Sequence, residues 1–116
     1  MGVVNRTRGT ILAGRARRAR GFLQRLLGLM GAPALPAGEA LVLDPCASIH
    51  MFFMRFPIDV VFAAADLSVV AVVHAIRPWR MTRFYPSARL AIELPAGTAA
   101  ASGTCLGDQL AFDPVE

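Results

Sequence analysis

From Ala40 onward the sequence is broken into short apolar runs, each closed off by Pro, Asp, Ser or Ala. They are Ala40–Leu43, Ile49–Phe53, Ile58–Phe62 and Val69–Val73. Runs of four or five β-branched or aromatic residues predict strands, and the stops between them leave no room for long helices. Val69–Val73 is apolar throughout, which predicts cover on both faces. In Arg89–Leu94, Leu90, Ile92 and Leu94 alternate with Arg89, Ala91 and Glu93, the two-residue period of a strand. Thr98–Ser102 reads as one helical turn stopped by Gly103. Gly107-Asp108 turns into a last strand, Gln109–Phe112.

The first third follows a different period. Thr10–Leu12, between Gly9 and Gly14, predicts a small strand. In Arg15–Met30, Ala16, Ala19, Phe22, Leu23, Leu26, Leu27 and Met30 recur at three- and four-residue steps, which predicts a helix ended by Gly31 and Pro33. The expected fold class is α+β. It is a compact, mostly-β, barrel-like or strongly curved sheet with one N-terminal helix packed on it and a short second helical turn. The whole chain, 1–116, is read as a single domain.

Composition narrows the setting. Apolar residues make up 55% of the chain and charged residues 17%, which excludes general disorder. No apolar run approaches the roughly 18–20 residues of a membrane-spanning helix. No secretory signal is evident, and there are only two cysteines, Cys46 and Cys105, so the expected compartment is the cytoplasm, with both thiols reduced. All twelve basic residues are Arg, and seven lie between Arg6 and Arg25. Residues 1–25 therefore carry +7, while the remainder sets five Arg against eight acids, or −3. This asymmetry reads first as a solvated helix face, with an anionic partner as the alternative.

The run Ser48-Ile-His-Met-Phe-Phe-Met-Arg-Phe-Pro-Ile-Asp59 resembles the signature of an uncharacterised family, domain of unknown function 192. Three further segments agree in order: Gly28-Leu29-Met30 followed by Leu35-Pro36, then Leu94-Pro95-Ala96-Gly97-Thr98, then Gly107-Asp108-Gln109-Leu110. The resemblance covers about residues 9–112. It implies a compact, mostly-β fold with a short helix near its start, and brings no activity, substrate or cofactor with it. One departure is Ala65-Asp66-Leu67-Ser68, where the family often has an Asp-x-Asp-Gly-like hairpin.

Two sets of residues are candidates for chemistry. His50, Met54, Arg55, Asp59 and Glu93 outline a polar pocket, because Asp59 sits among apolar neighbours and a buried carboxylate needs a partner. Arg55, four residues away, is the nearest candidate. The alternative is that Asp59 and Arg55 fix a strand crossing. The second set lies between Ala75 and Ser87, where Arg77, Trp79, Arg80, Arg83, Phe84 and Tyr85 are bracketed by Pro78 and Pro86 without an acid. Arg interleaved with aromatics suits stacking on bases or gripping an anion, or else a lid over the end of the sheet. Cys46, His50, His74 and Cys105 match no common zinc module, so no metal and no cofactor are expected. Neither a phosphate-cradling loop nor a nucleophile–base fingerprint occurs. The leading expectation is a non-catalytic binding domain for a small ligand or protein. A small hydrolase or lyase using His50 with Asp59 or Glu93 is the alternative, and an Arg-driven binder of nucleic acid or anionic membrane is a third reading.

Overall fold

A computed structural model describes residues 1–19 and 29–114. The short apolar runs become strands: β1 (Gly2–Asn5), β2 (Thr10–Ala13), β3 (Arg15–Ala19), β4 (Glu39–Leu43), β5 (Ile58–Ala63), β6 (Val69–Ile76), β7 (Leu90–Pro95) and β8 (Leu110–Asp113), with one four-residue helix, α1 (Thr98–Ala101). They form two open sheets, a three-stranded one in the order β2-β1-β8 and a five-stranded one in the order β3-β4-β7-β5-β6.

The small sheet packs on one face of the large one. Val3, Leu12 and Phe112 from the small sheet meet Val42, Val61 and Ile92 from the large sheet in one buried cluster. The opposite face of the large sheet presents Leu41, Leu43, Val60 and Phe62. Ile49, Met51 and Met54 cover it from the segment between β4 and β5, and Tyr85 and Ala88 flank it from the segment between β6 and β7. These two connections are the elements that build the site described below.

The expected fold class needs correction. The chain is mostly β, the sheets do not close into a barrel, and no N-terminal helix occurs among the described residues. Arg15–Ala19, the first part of the expected helix, is a strand paired in parallel with β4, Arg17 opposite Leu41 and Ala19 opposite Leu43. The rest of that expectation falls mainly on residues 20–28, outside the described residues. Ile49–Phe53 is not a strand; one isolated bridge, His50 to Met81, is all the ladder it makes. β6 lies at an edge of the sheet, so Val70, Val72 and Val73 are only half-buried where full cover was expected. The turn 65–68 manages without Gly: Asp66 Oδ1 accepts from Ser68 N at 3.0 Å and Ser68 Oγ at 2.7 Å, and Leu67 takes the left-handed conformation at φ 67°.

Candidate functional site: two crossing loops

The segments 46–56 and 77–88 run across each other over the outer face of the large sheet. Backbone hydrogen bonds tie them together. Met51 N donates to Arg80 O at 2.7 Å, Trp79 N to Met51 O at 2.8 Å, Thr82 N to Ile49 O at 2.9 Å, and Tyr85 N to Ala47 O at 2.8 Å. Thr82 Oγ1 also accepts from Ile49 N at 3.0 Å. Below the crossing, Met51 and Met54 are buried. Above it, Phe52, Phe53 and Arg55 of the signature run are exposed.

The result is a row of exposed rings. His50 stacks on Phe52 with centroids 5.0 Å apart, Phe52 reaches Trp79 at 6.1 Å, and Phe53 packs on Trp79 at 4.9 Å. Trp79 is 59% exposed, Phe53 60% and neighbouring Met81 66%. Phe53 and Trp79 both hold left-handed backbone, at φ 63° and 70°. A bulky L-residue there costs roughly 1–2 kcal/mol, so two such residues in mutual contact are a feature to be explained. Arg55, Arg77 and Arg80 are exposed on the same two segments, and neither segment contains an acid.

The expected polar pocket does not assemble. Asp59 is fully buried, but its partners are backbone amides: Ala75 N donates to Oδ1 at 2.8 Å, and Gly97 N and Ala99 N donate to Oδ2 at 3.0 and 2.9 Å. The carboxylate caps α1 from a distance and pins Ala75, another left-handed residue. Arg55 is exposed, and no hydrogen bond joins it or His50 to Asp59 among the described residues. His50 Nδ1 instead accepts from Phe52 N at 3.2 Å. Glu93 lies in β7, opposite Leu41 on one side and Val60 on the other, and is buried with Oε1 unpartnered among the described residues. Burial pushes its carboxyl up to about 7, while Arg17, opposite Leu41 in β3, pulls the other way.

The Arg/aromatic loop divides. Arg77, Trp79 and Arg80 belong to the crossing, whereas Arg83 and Tyr85 turn to a separate cleft of about 490 Å³ beside β6. His74 and Cys105 line that cleft, away from Cys46 and His50 on the loop crossing. Arg15 and Arg18 of β3 are held by acids elsewhere. Arg15 reaches Glu39 at 3.4 Å and Arg18 reaches Asp44 at 2.9 Å, at the opposite edge of the sheet from β6.

Sequence reasoning missed one buried network. Asn5 Nδ2 donates to Thr104 Oγ1 at 3.1 Å and Asp108 Oδ2 at 3.0 Å, and Arg8 Nε and Cys105 N reach the same Asp108 oxygen. The Asn5 hydrogen bond first, and then Arg8, hold the Asp108 carboxyl down at about 2. This network fixes the 102–108 turn against β1. The Gly107-Asp108 pair was its one visible signal.

The match to known sequences decides the family. A model of the domain of unknown function 192 family, described as "Uncharacterized ACR", matches residues 3–112. The chain belongs to that family. Similar members include a UPF0127 protein of Thermococcus sibiricus, 34% identical over 98% of this chain and 76% of the relative. A UPF0127 protein of Pyrococcus horikoshii is 35% identical over 93% of this chain and 96% of its own length. Two crystal structures share the fold. One is a protein of unknown function from Novosphingobium aromaticivorans, with TM-score 0.85 and 23% identity, covering 97% of this chain and 84% of that one. The other is a putative transcription regulator from Sinorhizobium meliloti, with TM-score 0.76 and 21% identity, covering 94% and 88%. The loop crossing is thus built from the run that resembled the family's signature, Ser48–Asp59. No helix among the described residues is long and apolar enough to cross a membrane.

Proposed function

We propose that this member of the family is a non-catalytic binding domain whose recognition surface is the ring row on the loop crossing, and that its partner presents flat apolar groups beside negative charge. The observation that carries this reading is the Phe53–Trp79 pair: two large rings in contact, more than half exposed, each on left-handed backbone. Strain and exposed apolar surface both cost stability, and both are concentrated in folds where a partner is met. Arg55, Arg77 and Arg80 add positive charge with no acid on either segment to cancel it. Rings beside arginines suit stacking and charge pairing with a single nucleic-acid strand. Hydrolysis by His50 with Asp59 or Glu93 has less support, because both Asp59 oxygens are occupied by backbone donors.

Trp79 is the single tryptophan of the chain, so its emission reports on this surface alone. Titration with a twelve-nucleotide oligothymidylate at low salt is expected to quench Trp79 and to weaken steeply as salt rises. Vesicles with anionic headgroups test the competing partner, since insertion of the ring would shift the emission to the blue. If neither probe changes the emission at low salt, an anionic partner for this surface is ruled out.

A further inference from the structure

We propose that the free edge of β6 binds an extended acidic peptide by strand addition, at a site separate from the ring row. β6, eight residues, is the longest strand among the described residues and ends the five-stranded sheet. Sheet edges are normally blunted by charges, prolines or cover, because unpaired N–H and C=O groups invite another strand. The β6 sequence, Val-Val-Ala-Val-Val-His-Ala-Ile, has no Pro and no Arg, Lys or acid. Its two ends are engaged: Val69 N donates to Asp108 O and Gly107 N donates to Val69 O, both at 2.8 Å, and Ala75 N donates to Asp59 Oδ1 at 2.8 Å. From Val70 to His74 no backbone hydrogen bond reaches the outer edge among the described residues.

A groove lies between those two ends. Consecutive residues Val70, Ala71 and Val72 line the cleft of about 490 Å³, as a strand does when its edge faces the space. Thr104, Cys105 and Leu106 form one wall, held by the Asn5–Asp108 network. Tyr85 and Arg83 form the other; Tyr85 rests on Phe62 at 4.7 Å, and the Arg83 guanidinium sits over Tyr85 at 5.1 Å. A chain laid beside β6 would run between these two walls. In strand addition, main-chain hydrogen bonds give affinity and alternate side chains give selectivity.

Charge selects the occupant. Arg83 and His74 line the cleft and none of the lining residues is acidic, so carboxylates are favoured on the incoming strand. A second copy of this chain fits less well, because its own β6 would bring no carboxylate to meet Arg83.

The test uses the intact chain and a terminally blocked octapeptide with glutamate at every second position and valine or threonine between. Cys105 lines the groove and is exposed, so its alkylation, resolved from that of Cys46 by peptide mapping, reports occupancy. The peptide is expected to slow Cys105 alkylation and to protect from hydrogen exchange, by at least about tenfold, those amides among Val70–Val73 that point away from β5. Arg83→Glu is expected to weaken binding about tenfold without changing the melting temperature, since Arg83 is exposed. Methylating alternate peptide nitrogens, which removes ladder donors and keeps the charge, is expected to abolish binding. Equal binding of the N-methylated peptide, or of a version with lysine for glutamate, would overturn the proposal. So would no binding at all, or a concentration-dependent dimer that protects the same amides. None of these outcomes depends on the ring row, whose reporter is Trp79.

Discussion

Two buried carboxylates, Asp59 and Glu93, have opposite relations to their surroundings. Asp59 accepts three backbone N–H groups, so removing its oxygens orphans donors at Ala75, Gly97 and Ala99 together. Asp59→Ala is expected to cost about 2–3 kcal/mol in a denaturant melt, because a buried unsatisfied donor costs roughly 1–3 kcal/mol and the Ala99 donor is buried while those of Ala75 and Gly97 are part-buried. A loss under about 1 kcal/mol would mean that the carboxylate is not what holds α1. Glu93 has no such company. Its carboxyl, pushed up to about 7, prefers the protonated form in the fold. Its contribution to stability is therefore complete below the unfolded value, 4.5, and is lost as pH rises through about 7. Across that window the domain is expected to lose about 3 kcal/mol, since each tenfold change in proton affinity is worth roughly 1.4 kcal/mol. Glu93→Gln should flatten the profile; an unchanged slope would place the titration elsewhere. The sequence revealed that Asp59 needed a partner. It pointed to Arg55 because side chains can be read along a chain, whereas amides 16, 38 and 40 residues away cannot.

At the scale of elements, legibility followed how local each interaction is. Leu90–Pro95 and Ile58–Ala63 were readable because both strands carry their burial pattern in their own residues. Arg15–Ala19 was not, since Arg and Ala are good helix formers and Ala16 and Ala19 fall at a helical step. What makes it a strand is its parallel pairing with β4, more than twenty residues away. Ile49–Phe53 failed in the opposite direction: its β-forming residues serve a loop whose ladder partner is another loop. Thr82 Oγ1 joins those two loops by accepting from Ile49 N, and it donates to Arg83 O within its own loop. Thr82→Val removes both bonds and keeps the shape. It is expected to cost about 1–2 kcal/mol and to lower the affinity of the ring row for oligothymidylate. A variant of unchanged stability would mean that the backbone bonds alone fix the crossing.

Across the whole molecule, the described positive charge is divided rather than pooled. β3 and β6 are opposite edges of one sheet, so Arg15 and Arg18 lie on the far edge from β6, and each of these two has a nearby acid. The +7 of residues 1–25 therefore does not by itself mark a binding face, and Arg20 and Arg25 lie outside the described residues. Phe52, Phe53 and Trp79, by contrast, are exposed rings collected in one place from two loops. The role proposed for Phe53 and Trp79 is recognition, not holding the fold. Denaturant unfolding of Trp79→Gly, followed by circular dichroism, tests it most directly. Glycine accepts φ 70° without strain, so a loss below about 2 kcal/mol is expected, and less than for Trp79→Ala. A loss of about 3–5 kcal/mol, the size seen when a core aromatic is truncated, would contradict the claim and make Trp79 part of the core.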